Sequence, residues 1–312
     1  MPAAKDLHSV TSPTLDLSSP RNRAIGLICA ILCSIGLGLA VALGRVAFDG
    51  GTTPLTVALC RSVFSIGFMA SLCLATGQSL WPPKGSWPLL LILGLLFSHM
   101  AFGNIGSTKY IPVSVAALLF FVYPPVVALI NSVLDRQLPS LIRTLAMLTS
   151  FAELAVMLGF GFEELDPRGV IIGLTSGIAC AVNMVWVSRR GGNLHPFMIV
   201  FYQSAVSAVV LTFLAIQLDE LRLPDITSGW WGLGLIVVLQ STSISLFYFA
   251  IKRIGPERTG LLNNLQPVAS IIAAMILFQE LLTGDRIIGA VMVLGGILLM
   301  QWSDGRARRA AG

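Results

Sequence analysis

The chain has 312 residues, of which 55% are hydrophobic and only 11% are charged, against roughly a quarter charged in a typical soluble domain; so few charges cannot cover a water-soluble surface. The apolar residues run in blocks of about 20, the length that spans the hydrocarbon of a bilayer. The formal net charge of +5 does not indicate a nucleic-acid binder, because Lys and Arg mark the gaps between apolar blocks instead of clustering on one solvated face.

In chain order, residues 1–20 are polar, contain Ser and Pro, and carry no apolar core, which predicts a disordered cytosolic tail. No small-residue cleavage site follows a short apolar region, so the tail does not read as a signal peptide. Ten spans follow, at 24–47, 55–76, 86–106, 113–133 and 141–160, then 169–188, 197–216, 229–250, 258–279 and 285–302. Residues 303–312 form a basic cytosolic tail. With the N-terminus in the cytosol, fourteen loop and tail cations fall on that side and five, Arg45, Lys109, Arg168, Arg222 and Arg286, on the other. Cationic loops resist translocation, so both termini are expected in the cytosol, in a bacterial inner (plasma) membrane.

Cys29, Cys33, Cys60, Cys73 and Cys180 all fall inside apolar blocks, where thiols act mainly as small hydrophobic fillers. Cys29 and Cys33 share a helix face, but no second ligand pair accompanies them, so no metal is expected. No cofactor is expected either, and the absence of a P-loop sequence excludes direct drive by ATP.

Sliding the chain against itself by 143 positions superposes Lys109 on Lys252, Ile111 on Ile254, Leu118 on Leu261 and Pro124 on Pro267. The same shift sets Leu138 on Leu281 and Arg143 on Arg286, and nearby offsets set Pro54 and Arg61 opposite Pro196 and Gln203, and Cys33 opposite Cys180. Two repeats, 24–160 and 169–302, therefore hold five spans each. Five is odd, so the second copy enters the membrane upside down. Inverted repeats are a mark of secondary transporters, whose substrate site lies near the midplane between the copies.

Three stretches carry a family resemblance: "ALCRSVFS" in the second span, "STKYIPVSVAALLFFVYPPVVALI" across the third and fourth, and the long run from "AIKRIGPERTG" to "GGILLM" across the last three. Residues 24–302 resemble the EamA-like branch of the drug/metabolite transporter superfamily. The resemblance implies ten helices and movement of metabolites, without naming the cargo. Two positions depart from the pattern. Gln137 stands opposite Glu280, where the family favours Glu in both halves, with Asp135 two residues away, and Glu153 matches Gly296.

Polar groups inside a span need a partner, a wet cavity or a function. The ninth span holds Asn263, Asn264 and Gln266 just before the kink expected at Pro267, an amide set able to bind a zwitterionic or hydroxylated solute. The alternative is that these amides bond neighbouring helices. Its mate, the fourth span, places Phe120, Phe121 and Tyr123 beside Pro124. Aromatic against amidic suits a solute with one apolar face and one polar end. His99, opposite Thr242, is a candidate for an anion or a proton relay, with a satisfied structural histidine as the alternative. Asn183, Trp186, Ser34, Gln240 and Tyr248 are further cavity candidates. Arg61 lies two turns inside its span, so it either snorkels to the interface or captures a carboxylate. Glu153 is a candidate proton carrier, or a structural or subunit contact in a homodimer. The expected function is secondary transport, as an exporter of a small organic metabolite such as an amino acid or a drug-like solute. The alternative, a membrane-embedded lipid-modifying enzyme, lacks an H-E-x-x-H helix, a G-x-S-x-G turn and a carboxylate pair within a span.

Overall fold

The computed structural model describes residues 20–136, 144, 165–191, 194–263, 265–279, 291 and 295, without the side chains of 248, 252, 255–258 and 261. Apart from residues 144, 291 and 295, the fifth and tenth spans lie outside the described residues, as do Asn264, Gln137, Glu153 and Glu280. Within them the chain is all-helical: α1 (Pro20–Asp49), α2 (Pro54–Ala75), α3 (Trp87–Gly106), α4 (Val113–Phe120), α5 (Tyr123–Asp135), α6 (Pro167–Arg190), α7 (Pro196–Gln217), α8 (Thr227–Asn263) and α9 (Leu265–Phe278). Seven segments are long and apolar enough to cross a membrane, counting Val113–Asp135 as one and ending the seventh at Ile251. Leu265–Phe278 is a shorter apolar helix.

Proline opens several of these helices, where its missing N–H is one the helix would leave unpaired anyway. Pro54, Pro167 and Pro196 follow the caps Thr53, Asp166 and His195, each of which accepts a backbone N–H from its own first turn. Thr53 also reaches across to the loop after α7, donating to the Glu220 carbonyl at 2.5 Å, while Thr52 donates to the Arg222 carbonyl at 2.6 Å. The α1–α2 and α7–α8 loops are thus tied at one end of the molecule.

Proline in mid-helix acts differently, because its ring clashes with the carbonyl four residues back and offers it no donor. Pro124 faces Phe120 in this way, and α4 ends at Phe120, with Val122 N falling back to the Leu119 carbonyl at 3.3 Å. Pro267 likewise faces Asn263, the last residue described before position 264. The two prolines are 143 residues apart.

Helix α1 runs antiparallel to α8, with Gly50 against Gly229, Ala47 against Gly232, Gly36 against Ser243 and Gly26 against Ile254. Without side chains at these crossings the backbones approach closely, the contact that holds helices together where lipid gives no hydrophobic push. Eight residues beyond Gly26, Ser34 Oγ reaches the Leu262 carbonyl at 3.0 Å, so the chain turns back on itself near Ile254. The expected gap after the eighth span is therefore a reversal made within helical hydrogen bonding. Helix α9 then runs alongside α1, with Gly38 against Gln266 and Ala269 and its carbonyl accepting Ser270 Oγ at 3.0 Å.

Helix α6 repeats this arrangement with the other elements. It lies against α3, with Gly103 on Ser176, and against α4, with Gly177 on the Phe120 and Leu119 carbonyls. Gly169 packs on Ile111. Helix α2 lies against α7, joined by Ser62 and Ser207 hydroxyls at 3.0 Å. At the far end of α5, Arg189 donates to Asn131 at 2.9 Å and pairs with Asp135 at 2.8 Å, clasping α5 to α6.

Candidate functional site

The break after Phe120 and the segment around Asn263 meet in the interior. Phe120, Phe121 and Tyr123 pack as a triplet with ring centroids 5.4–6.0 Å apart. The Tyr123 hydroxyl lies close to the Asn263 side chain, with Cys33 of α1 and Cys180 of α6 nearby. Asn263 Oδ1 is buried without a hydrogen-bond partner among the described residues. A buried, unpaired amide oxygen is costly in hydrocarbon, and here it offers an acceptor beside an aromatic wall. Gln266, one turn on, is 6% exposed. Tyr123 and Asn263 are thus brought together from both halves of the sequence beside the helix break after Phe120, where irregular backbone is tolerated only inside protein or beside a wet cavity.

Other candidates stand elsewhere. Ser34 is fully buried and its hydroxyl has the Ala30 and Leu262 carbonyls within reach, a clamp between α1 and the reversed chain. Asn183 donates to the Leu93 carbonyl at 3.0 Å and accepts from Gln203 at 3.1 Å, so α6 is stitched to α3 and α7. Trp186 packs among Leu90, Leu93, Leu194 and Met198, with the Arg190 guanidinium 5.2 Å above its ring. His99 is exposed and shares a 3.0 Å hydrogen bond with Thr175. Thr242 is exposed on α8, and Tyr248 and Asn264 lie outside the described side chains.

Arg61 does not snorkel. It is 2% exposed, and its Nη1 donates to Gln240 Oε1 at 2.8 Å. Sequence reasoning missed the serine pairs that run beside it, Ser62 with Ser207 and Ser65 with Ser241 at 3.0 Å. Their signal was the recurrence of Ser on the faces of α2, α7 and α8, which an apolar background had made unremarkable. At the end of the molecule that holds Arg45 and Lys109, a cavity of about 400 Å³ is lined by these two cations with Phe48, Asp49, Tyr110 and Pro112.

Comparison with known proteins follows the same lines. Residues 167–302 match the EamA-like transporter family. An uncharacterized transporter of Archaeoglobus fulgidus is 28% identical over 80% of this chain and 87% of its own. The threonine/homoserine exporter RhtA of Salmonella typhimurium is 26% identical over 66% and 68%. The Dickeya dadantii protein PecM is 22% identical over 80% and 83%. A solved crystal structure, 18% identical, superposes with a TM-score of 0.63 over 95% of this chain and all of its own, which shows a shared fold. Apolar helices in number, a domain over residues 167–302 that matches the EamA-like transporter family, and relatives named as transporters agree: this is a multi-pass membrane protein similar to the EamA-like transporters.

Proposed function

We propose that the chain is a secondary transporter, an exporter of a small organic solute with a polar end and an apolar body, working by alternating access between two inverted five-helix repeats. The observation that carries this reading is the approach of Tyr123 to Asn263 in the interior, beside Pro124 and Pro267, which correspond under the 143-residue shift. Contacts elsewhere support it. Gly26 on Ile254 and Gly169 on Ile111 are related by the same shift, as are Ser34 on the Leu262 carbonyl and Gly177 on the Leu119 carbonyl. A seat between inverted halves faces either side of the membrane as the halves exchange conformations.

The seat's chemistry favours an amphipathic solute. Phe120, Phe121 and Tyr123 supply the apolar wall, and Asn263 Oδ1 and Gln266 supply acceptors and donors for an ammonium, hydroxyl or amide. The Salmonella relative's name, a threonine/homoserine exporter, makes threonine the first solute to assay. Both termini are placed in the cytosol by the loop charges, which sets Arg45, Lys109 and their cavity on the outer side.

In proteoliposomes loaded with radiolabelled threonine and a panel of amphipathic amino acids, the Asn263→Ala/Gln266→Ala double variant should insert normally and lose at least about tenfold in the efflux rate of any solute carried. Undiminished efflux by the double variant would remove the seat.

A further inference from the structure

The interior of α2 carries a cation that nothing in the described structure neutralises. Arg61 lies seven residues into α2, about 10 Å along the helix at 1.5 Å per residue, and is 2% exposed. Its one hydrogen bond among the described residues goes to the neutral amide of Gln240, and no described carboxylate lies within ion-pair distance. A guanidinium carries five N–H donors in a fork that fits a carboxylate through two parallel bonds. One amide oxygen leaves most of that capacity unused.

Its depth is that of the seat. Helices α1 and α8 are in antiparallel register, with Gly36 facing Ser243, so Gln240 stands level with Leu39. The neighbouring Gly38 touches Gln266 and bonds Ser270 of α9. The guanidinium, Gln266 and Pro267 therefore share one layer of the membrane.

The repeat supplies a control. The position opposite Arg61 is Gln203, whose amide donates to Asn183, which in turn donates to the Leu93 carbonyl. That chain is neutral and closed through three helices. A structural stitch at this depth is made with an amide, and the charge in the first half is left for something else.

We infer that Arg61 is the anion-recognition residue of the transport site, taking the carboxylate of the solute from its resting bond to Gln240. The inference rests on the transporter reading above and deepens it, assigning the solute a carboxylate.

The test compares matched pairs that differ only in this group, threonine with threoninamide and propionate with propionamide, by thermal shift of the purified protein and by counterflow in proteoliposomes. Carboxylates should raise the unfolding midpoint of the wild type by several degrees at tens of millimolar while their amides do not. Arg61→Gln should abolish that difference, and Arg61→Lys should keep part of it; monodisperse gel filtration of both shows that they fold. Equal shifts by acid and amide in the wild type, or a difference that survives in Arg61→Gln, would overturn the inference. If counterflow proceeds with no acid preference, the transporter reading stands and the carboxylate site falls. If Arg61-dependent binding persists in a protein that moves no solute, the site stands and the transporter reading falls.

Discussion

Pro124 and Pro267 each leave one carbonyl, that of Phe120 and that of Asn263, without the amide donor a regular helix would provide. In hydrocarbon such a loss is expensive unless other groups meet it, and here it is repeated at the two positions where the halves converge. Replacing Pro267 by Ala would return an N–H to the Asn263 carbonyl. The expected result is an unfolding midpoint at or above that of the wild type together with at least a tenfold loss of transport. A Pro267→Ala variant that is both stable and fully active would show that the proline is incidental. Arg61 shows the limit of sequence reading at this scale. Its depth could be counted from Pro54, but the direction of its side chain could not. Inward and snorkelling positions differ only by rotation of α2 about its axis, and α2 is apolar on nearly every face, so no stripe in the sequence fixes that rotation. An arginine at a helix centre costs about 2.5–3.5 kcal/mol on insertion, a cost tolerable for a residue with a ligand to meet.

Among the elements, the helix starts were the most legible feature. Pro54, Pro167 and Pro196 mark α2, α6 and α7 within two residues of the expected spans, because cap and proline chemistry is local and depends little on tertiary packing. The break before Pro124 was legible for the same reason. The run of helical hydrogen bonding through Ile254 was not, since Gly255 and Pro256 read as a loop and only the packing of both limbs on α1 shows that the chain reverses there. Thr53 is the element-level case with two duties, capping α2 and holding the loop after α7 through the Glu220 carbonyl. Thr53→Ala removes both, and a cap alone is worth roughly 0.5–2 kcal/mol. Thermal unfolding in detergent should show a lower midpoint for Thr53→Ala, whereas Thr53→Ser should sit within a degree or so of the wild type. Equal midpoints for Ala and wild type would mean that the tie carries no weight.

For the whole molecule, the proposed alternating access makes a signed prediction from two mirrored contacts. A side chain at Gly26 would run into Ile254 at the cytosolic end of α1, and one at Gly169 into Ile111 and Tyr110 at the outer end of α6, the nearest atoms at 2.6 and 2.7 Å. Gly26→Val should wedge the inner end open and Gly169→Val the outer end. With single cysteines placed in the two vestibules of a background free of native cysteines, impermeant maleimide should label the outer site faster in Gly169→Val and slower in Gly26→Val. Shifts of the same sign in both would contradict inverted halves. That several helices are long and apolar enough to cross a membrane was legible from composition alone. The interleaving of the halves was not, because it depends on close backbone approach at Gly36, Gly50 and Gly103, and a small residue in an apolar block does not say which helix it will meet.

That interleaving also sets a timetable for biosynthesis. The main neighbours of α1 are α8 and α9, not α2, so the first helix to enter the bilayer has few lasting contacts until residues 227 onward have been made. At a translation rate of about 5–20 residues per second the delay is roughly 10–40 s. Through that interval α1 has only its smaller contacts with α2, α3 and α4, such as Gly44 against Ile105, and pairing of α1 with α8 becomes a late step that closes the bundle around chain already threaded.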